Sequence, residues 1–263
     1  NMTNILFFIP VLISFTLVFY LLPKAIKSLE SKNITSIDHY KIEKPRIANQ
    51  GASTVLFTFF LTCSLMPVLS RFVNRLDYFS SVSIISVNSL DISVLLVIAI
   101  FGLYGVFDDL VDIGWWPKII FPICFSFPLM ILLDPSSLSI PFYGNFDLSN
   151  SINLKFIGRI EGSDLLKVFL IPVYIMVCSN LVNMHSGFNG LQSGLSIIIL
   201  STLILKSVID SSHNNLVPFL SLTGGLIAFW VYNKYPAKII EGNIGALSFG
   251  AAIGTFIAVK ELY

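Results

Sequence analysis

Long, continuous apolar runs separated by short polar stretches are the main pattern of this sequence. A helix needs about 20 apolar residues to cross the hydrocarbon core of a bilayer, and the runs approach this length. They lack the alternation of apolar and polar positions that is typical of strands in a membrane barrel. The pattern predicts an all-α polytopic membrane protein with eight spans, near residues 4–22, 51–70, 92–107, 118–133, 164–184, 190–206, 216–232 and 245–260.

The composition supports this interpretation. Of the 263 residues, 55% are hydrophobic and 12% are charged, whereas soluble domains average about 25% charged residues. The formal net charge is +1 and there is no basic run, which excludes a nucleic-acid partner. Cys63, Cys124 and Cys178 lie in separate apolar runs without a C-x-x-C spacing, which favours thiols buried in lipid or in the protein core over a disulfide framework or a metal site.

The order of the spans places four polar segments on one side of the membrane: 23–50, 108–117, 185–189 and 233–244. This side carries more Lys and Arg residues than the other, most of them in the segment after the first span. Because basic loops stay in the cytoplasm, we expect this side to be cytoplasmic and the amino terminus external. The external segment 134–163 has Pro and Gly residues between short apolar runs, which predicts a small β-hairpin.

The segment GVFDDLVDIGWWPK carries the densest group of charges at a membrane edge. Asp108, Asp109 and Asp112 follow an apolar helix, and Lys118 begins the next one. If the helix continues for one more turn, Asp112 lies beside both earlier carboxylates. Carboxylates this close repel one another unless a cation is present, and hard oxygen ligands suit Mg²⁺ or Mn²⁺ with bound phosphate. The segment indicates a metal and phosphate site; the structural alternative is a solvated helix end.

A second polar segment, SNLVNMHSGFNGLQSG, is rich in amides and glycines. Asn180, Asn183 and Asn189 are costly near hydrocarbon unless they find partners. Glycines such as Gly190 let the backbone approach a ligand closely. The segment therefore indicates a binding site, with helix-helix packing as an equal alternative, and His185 is equally well explained as an interfacial histidine without a specific role.

Two further segments fall on the same side. In YNKYPAKIIEGNIGALSFG, Glu241 and Asn243 precede the last apolar run, and the backbone N–H groups at such a helix start can face an anion. In DHYKIEKPRIANQGAST, Lys44 belongs to a mixed-charge stretch that enters a helix at Gly51. Each can be an ordinary positively charged cytoplasmic loop. The placement of all four segments on one side favours a common functional site.

Together these residues resemble the polyprenyl-phosphate N-acetylhexosamine-1-phosphate transferase family. The resemblance rests on FDDLVD with the following lysine, on the N-x-x-N-x-x-x-G-x-N-G-L-x-x-G segment, and on KPRIANQGA and YPAKIIEGN. It runs from the first span to the last. The form NMHSGFNGL is most similar to the archaeal and eukaryotic UDP-GlcNAc:dolichyl-phosphate GlcNAc-1-phosphate transferases, because bacterial members have Asp residues in this segment.

The resemblance implies a reaction and its groups. A sugar-1-phosphate, GlcNAc-1-phosphate in the most similar branch, passes from a UDP-sugar to a polyprenyl or dolichyl phosphate with release of UMP. This is the first step of lipid-linked glycan synthesis, such as N-glycosylation or cell-wall assembly. Mg²⁺ or Mn²⁺ is the implied cofactor. By motif position, Asp108, Asp109, Asp112 and Lys118 are catalytic, Lys44, Asn180, His185, Asn189 and Gly190 bind substrate, and Asn183 and Asn243 bind metal, with Asn189 meeting the uracil.

The implied setting is a membrane with the site on its cytoplasmic face. We expect the cell membrane of an archaeon, or the endoplasmic reticulum membrane if the source is eukaryotic. Besides the UDP-sugar and the polyprenyl or dolichyl phosphate, the expected partners are membrane lipid and a second copy of the chain in a homodimer.

Two departures from the family affect this interpretation. The family has Gly-Asp where this chain has Gly242 and Asn243, so we expect Mg²⁺ to bind more weakly or Glu241 to compensate. The family also has about ten helices, so we expect residues 1–263 to form a single transferase domain that lacks the last ones. The alternatives are a related UDP-sugar donor, a non-catalytic membrane scaffold or binding homologue, and a secondary transporter. A transporter would have polar groups near the bilayer midplane instead of at one edge.

Overall fold

A computed structural model describes residues 8–38, 41–73, 87–111, 113–133, 135, 137–140, 144–148, 151–154, 158–210 and 216–262. The all-α prediction is confirmed, because helices make up most of this part of the chain. They are α1 (Ile9–Ser31), α2 (Ala52–Val73), α3 (Ser89–Val111), α4 (Pro117–Phe125), α5 (Gly162–His185), α6 (Leu191–Ile209), α7 (Leu216–Asn233) and α8 (Asn243–Leu262).

Seven of the eight predicted spans coincide with helices that are long and apolar enough to cross a membrane within the described residues. The eighth prediction, 118–133, falls on a shorter apolar segment made of α4 and the 3₁₀ turn Phe127–Ile131. Pro128 has no N–H to continue the α-helical hydrogen bonds, which explains why α4 ends at Phe125. At 1.5 Å per residue the segment is roughly 22 Å long, shorter than the ~30 Å hydrocarbon core.

The first helix extends well beyond its predicted end. The apolar run stops at Leu22, but α1 continues to Ser31. In this extension Ile26 and Leu29 pack against the core, while Lys24 is exposed. Hydropathy locates the membrane and not the helix end, so this amphipathic extension of the helix was missed.

Helices α7 and α8 are the most deeply buried of the spans. Helix α8 packs against α3 on one side and α5 on the other, and α7 packs against α1 and α6. Small residues allow the close contact of α5 and α8: a Cβ on Gly250 would lie 2.6 Å from the Cα of Ser179. The hydroxyl of Ser179 also donates a hydrogen bond to the Leu247 carbonyl at 3.0 Å. Packing through α8 therefore fixes the relative positions of α3 and α5.

Three two-stranded antiparallel hairpins complete the described part. The predicted hairpin in segment 134–163 is confirmed, and the segment contains two. They pair β3 (Ser137–Ile140) with β4 (Gly144–Asp147) and β5 (Ser151–Leu154) with β6 (Gly158–Glu161). A third hairpin, not predicted, pairs β1 (Thr35–Ile37) with β2 (Arg46–Ala48) between α1 and α2. It lies at the end of the helices where the polar segments gather.

Candidate functional site

A single buried carboxylate joins three elements at this end of the molecule. Asp108, at the start of the last turn of α3, is 3% exposed. Its Oδ2 lies 2.9 Å from the Nζ of Lys118 and accepts a hydrogen bond from the Nδ2 of Asn243, also at 2.9 Å. Its Oδ1 accepts from the backbone N–H of Ile113 at 3.1 Å. Asp108 therefore holds the end of α3, the start of α4 and the start of α8 together.

Asp109 lies beside this junction and is half-buried. Its Oδ2 accepts a hydrogen bond from the Nε2 of Gln50 at 3.2 Å, and the backbone N–H of Asn243 is turned toward the same carboxylate. The first turn of α8 carries the positive end of the helix dipole. The site thus combines two adjacent carboxylates with a lysine and a helix amino terminus, a set that can bind phosphate and a divalent cation.

The close approach of α3 and α8 depends on Gly105. A Cβ at this position would lie 2.6 Å from the Cα of Ile244, at the first turn of α8. Backbone therefore packs directly on backbone, one turn of α3 before Asp108. This contact sets the distance over which Asn243 reaches the carboxylate.

The segment before α8 is fixed by the unpredicted hairpin. Ala48, in β2, and Ile239 form a parallel β-bridge, and the N–H of Ile240 donates to the Ala48 carbonyl at 3.0 Å. The N–H of Gly51 in turn donates to the Ile240 carbonyl at 2.9 Å. Gly242 has φ +73°, a left-handed conformation that suits glycine, and this turn leads the chain into α8.

The amides of α5 end at the same place. The Nδ2 of Asn180 donates to the carbonyls of Lys118 and Met176, at 3.1 and 3.0 Å, which ties the end of α5 to the start of α4. Asn183 lies three residues later on α5 and is half-buried. Its backbone carbonyl accepts from the Ser186 hydroxyl at 2.7 Å, and no side-chain hydrogen bond of Asn183 is present among the described residues.

Asn189 and Gly190 lie in the turn between α5 and α6. The Nδ2 of Asn189 donates to Oδ2 of Asp38 at 3.0 Å. Gly190 is buried with φ +73°, and a Cβ there would lie 2.8 Å from the Cα of Lys234. This turn therefore packs against the segments that follow α1 and α7.

Three other predicted residues are less closely connected. Lys44 is exposed, in a turn before β2 with φ +44°. His185 is exposed on the last turn of α5, where its Nδ1 lies 2.6 Å from the Leu181 carbonyl. The structure brings neither into a described side-chain contact with Asp108 or Asp109. Asp112 lies outside the described residues.

The described residues fit a metal site that is completed by substrate phosphates and water better than one whose ligands all come from the protein. Among the described residues, no group of three or more His, Cys, Asp and Glu side chains could hold a metal ion. Mg²⁺ is commonly held by one or two carboxylates together with substrate phosphates and water, which Asp108 and Asp109 can supply. Asn243 turns its Nδ2 to Asp108, so its Oδ1 is directed away from that carboxylate.

Glu241 is fully buried. Neither carboxylate oxygen has a hydrogen-bond partner among the described residues, and the Asn233 amide faces the group. Burial raises the pKa of the Glu241 carboxyl to about 8, despite this amide. Burial therefore favours the protonated, neutral form of this side chain.

Two residues of this end were not singled out from the sequence. Gln50 contacts Asp109, and Asp38 contacts Asn189. Asp38 and Lys41 are three residues apart in the mixed-charge segment, and Gln50 directly precedes a helix start. The spacing of Asp38 and Lys41 and the position of Gln50 are visible in the sequence, but such patterns also occur in ordinary surface loops.

Comparison with known proteins gives a family and several relatives. The profile described as "Glycosyl transferase family 4" matches residues 92–260. The chain is 27% identical over 257 residues to a Saccharolobus solfataricus protein named as a candidate UDP-N-acetylglucosamine–dolichyl-phosphate N-acetylglucosaminephosphotransferase, covering 97% of this chain and 71% of that protein. A Sulfolobus acidocaldarius protein with the same name is 29% identical over 167 residues, covering 62% of this chain and 47% of the relative.

A bacterial relative has a different named substrate. The phospho-N-acetylmuramoyl-pentapeptide-transferase of a Clostridium botulinum strain is 28% identical over 162 residues, covering 62% of this chain and 49% of that protein. The matches to this relative and to the Sulfolobus protein span about half the length of each.

Proposed function

Because this integral membrane protein belongs to glycosyl transferase family 4, we propose that it transfers a sugar-1-phosphate from a UDP-sugar to a polyprenyl phosphate and releases UMP. The proposed sugar is GlcNAc and the proposed acceptor is dolichyl phosphate, in line with the names of the archaeal relatives. The membrane is the cell membrane of an archaeon, with the site facing the cytoplasm. The product is the first lipid-linked intermediate of a glycan pathway.

The observation that carries this proposal is the junction of Asp108, Asp109 and Lys118 with the amino terminus of α8. It lies at the end of the membrane helices, where a lipid-borne phosphate and a water-soluble nucleotide can meet. Both substrates are anionic. The Lys118 side chain is 28% exposed, and its ammonium has three N–H donors. Lys118 can therefore bind a phosphate oxygen while it keeps its contact with Asp108.

The chemistry needs charge neutralisation more than a strong base. An oxygen of the lipid phosphate attacks the sugar-linked phosphorus, a new P–O–P bond forms, and the bond to the UMP oxygen breaks so that UMP leaves. A phosphate monoester has a second pKa near 6 and is mostly dianionic at neutral pH, so the nucleophile is already deprotonated. Fixed positive groups such as Lys118 and the α8 amino terminus stabilise the charge on the transferring phosphoryl group.

A divalent cation fits the same place. We propose that Asp109 and Asp108 hold Mg²⁺ or Mn²⁺, with Asn183 as an amide ligand from the end of α5; such an ion would neutralise phosphate charge. Asn243 positions Asp108 through its Nδ2, and its Oδ1 remains available to substrate, water or metal.

The direct test is UMP release by the purified full chain in lipid nanodiscs. We expect release that requires a UDP-sugar, dolichyl or polyprenyl phosphate and Mg²⁺, and that stops when EDTA is added. Offering UDP-GlcNAc, UDP-GalNAc and UDP-glucose in parallel separates GlcNAc from related donors.

Asp109→Asn and Asn183→Ala should each lower the rate on the order of a hundredfold or more. Glu43→Gln, which neutralises an exposed acid on the same side of the molecule, should leave the rate unchanged. Absence of UMP release with every donor, from protein that unfolds cooperatively on heating, contradicts the proposal and favours a non-catalytic binding protein.

A further inference from the structure

The carboxylate of Asp38 is buried beneath the turn that carries Asn189. Its side chain is 1% exposed, and its Oδ2 accepts a hydrogen bond from the Nδ2 of Asn189 at 3.0 Å. The Nζ of Lys41 lies 3.2 Å from the same Oδ2 and also donates to the Ala237 carbonyl at 2.7 Å. Three segments, those following α1, α5 and α7, therefore meet at one ion pair.

The ion pair determines which end of the Asn189 amide faces Asp38. The carboxylate of Asp38 pairs with the Lys41 ammonium, and a carboxylate can only accept hydrogen bonds. The amide must therefore present its NH₂ group to Asp38 and its Oδ1 away from it, because the reverse orientation would place two acceptors together. Among the described residues, no hydrogen bond reaches the Oδ1 of Asn189.

The backbone of this turn is also held. Gly190 adopts φ +73° and packs against the Cα of Lys234, so the turn has little room to shift. The remaining freedom of Asn189 lies in its side-chain torsions, and the hydrogen bond to Asp38 restricts these. Oδ1 is thus a fixed hydrogen-bond acceptor.

We propose that Asp38 is a positioning residue that fixes the Asn189 amide with its oxygen as the free end and thereby selects a uracil over a cytosine in the nucleotide donor. The inference rests on the proposed function and on the contact with uracil that the family resemblance implies for Asn189. Uracil has an N–H donor at N3, which a fixed acceptor can receive. Cytosine has a lone pair at N3, which would face the amide oxygen without a hydrogen bond.

The expected size of the preference follows from the hydrogen bond that uracil makes and cytosine does not. An unpaired polar contact in a partly buried site lowers affinity by roughly one to two powers of ten. An amide that was free to turn would read either base, since it can present an oxygen or an NH₂ group. The preference between bases therefore depends on Asp38, which need not touch the nucleotide.

The test measures the dissociation constants of UMP and CMP for the detergent-solubilised full chain. We expect wild-type protein to bind UMP roughly 10- to 100-fold more tightly than CMP. Asp38→Leu has no acceptor for the Asn189 NH₂ group, so it releases the amide, and the ratio should fall to near one. Glu43→Gln, in the same loop and exposed, is the matched control and should keep the wild-type ratio.

Exchanging the two groups gives a stricter test. In the double variant Asp38→Asn/Asn189→Asp, the new amide donates to the new carboxylate, whose second oxygen can only accept. The preference for UMP should return. Asn189→Ala removes the fixed acceptor without touching the ion pair of Asp38 with Lys41, and it should abolish the preference even if Asp38→Leu does not fold.

A purely structural ion pair predicts different results. If Asp38→Leu weakens UMP and CMP binding equally and leaves their ratio intact, or if the preference survives in Asn189→Ala, the proposal is wrong. UMP binding without a preference over CMP in wild-type protein also overturns it while leaving the proposed function standing. Absence of any UMP binding contradicts the proposed function itself.

Discussion

At the residue scale, Asp108 is satisfied by three donors, and Asn243 supplies one of them. Asn243→Asp would replace this hydrogen bond by two carboxylates in contact. Without a divalent cation we expect a loss of roughly 1–3 kcal/mol, which corresponds to a fall in Tm of several degrees. With Mg²⁺ the variant should recover more stability than wild type, because carboxylates bind Mg²⁺ better than amides do.

Thermal unfolding in EDTA and in a Mg²⁺ series checks this prediction. Asn33→Asp makes the same chemical change at an exposed position in the turn after α1 and should not alter the Tm. An Asn243→Asp variant with the wild-type Tm in EDTA would contradict the contact seen at Asp108.

Glu241 gives a prediction about pH. Its pKa is about 8 in the folded protein, compared with an ordinary value of 4.5. Between these pH values the unfolded chain loses this proton and the folded protein keeps it, so the Glu241 contribution to stability falls as pH rises through this window and levels off above pH 8. Glu241→Gln should remove that part of the decline and be more stable than wild type at pH 8.

Unfolding curves from pH 5 to pH 9 for wild type and Glu241→Gln measure the effect. Glu43→Gln changes an exposed acid and should retain the wild-type pH dependence. Parallel wild-type and Glu241→Gln stability profiles over this range would show that Glu241 has an ordinary pKa.

The site could be predicted from the sequence only where the signal was local. The segment with Asp108, Asp109 and Lys118 stands out because charges at a membrane edge are rare. The contact of Asn189 with Asp38 joins residues 151 positions apart and leaves no mark in either local pattern. Orientation within a contact is also invisible in the sequence: nothing in it indicates that Asn243 turns its NH₂ group toward Asp108.

At the element scale, the contact of α3 with α8 should be sensitive to one methyl group. In Gly105→Ala the new Cβ meets the backbone of Ile244, which cannot turn aside as a side chain can. We expect the helices to separate, the Asp108 contact with Asn243 to lengthen, and UMP release to fall at least tenfold, since displacement by about 1 Å can reduce a rate by two powers of ten.

Gly102→Ala is the matched control, because it lies on the same helix one turn earlier. Its new Cβ would meet side-chain atoms alone, the Cδ1 of Leu56 at 3.2 Å and the Cβ of Ser248 at 3.9 Å, and alanine is about 1 kcal/mol better than glycine within a helix. This variant should keep its activity and its Tm. Equal loss in both variants would show that helix stability, and not the α3–α8 distance, determines the rate.

Helices and strands were predicted well where their formation depends only on the local run of residues. Long apolar runs identify membrane helices because each span must bury its own backbone hydrogen bonds. The extension of α1 to Ser31, the early end of α4 and the hairpin of β1 with β2 depend instead on packing, on Pro128 and on pairing with the distant Ile239. Hydropathy does not encode these features.

At the scale of the whole molecule, the contacts place all four polar segments at one end of the helices, and we expect this end to be cytoplasmic. In a background with Cys63, Cys124 and Cys178 replaced, Lys44→Cys and Tyr235→Cys provide exposed thiols at the site end, and Asp164→Cys provides one at the start of α5. A membrane-impermeant maleimide should label only Asp164→Cys in intact cells and the other two after permeabilisation. The opposite pattern would reverse the orientation.

The junction at Asp108 has a consequence for biosynthesis. Lys118 and Ile113 emerge from the ribosome soon after Asp108, but Asn243 follows 135 residues later. At about 5–20 residues per second, roughly ten seconds pass before α8 can enter the membrane and contact α3. During that interval the helices already inserted hold an incomplete site with acidic groups at the bilayer edge. Insertion of α8 is therefore the event that completes it, and a nascent chain that stalls before α8 would present these acids to the quality-control machinery.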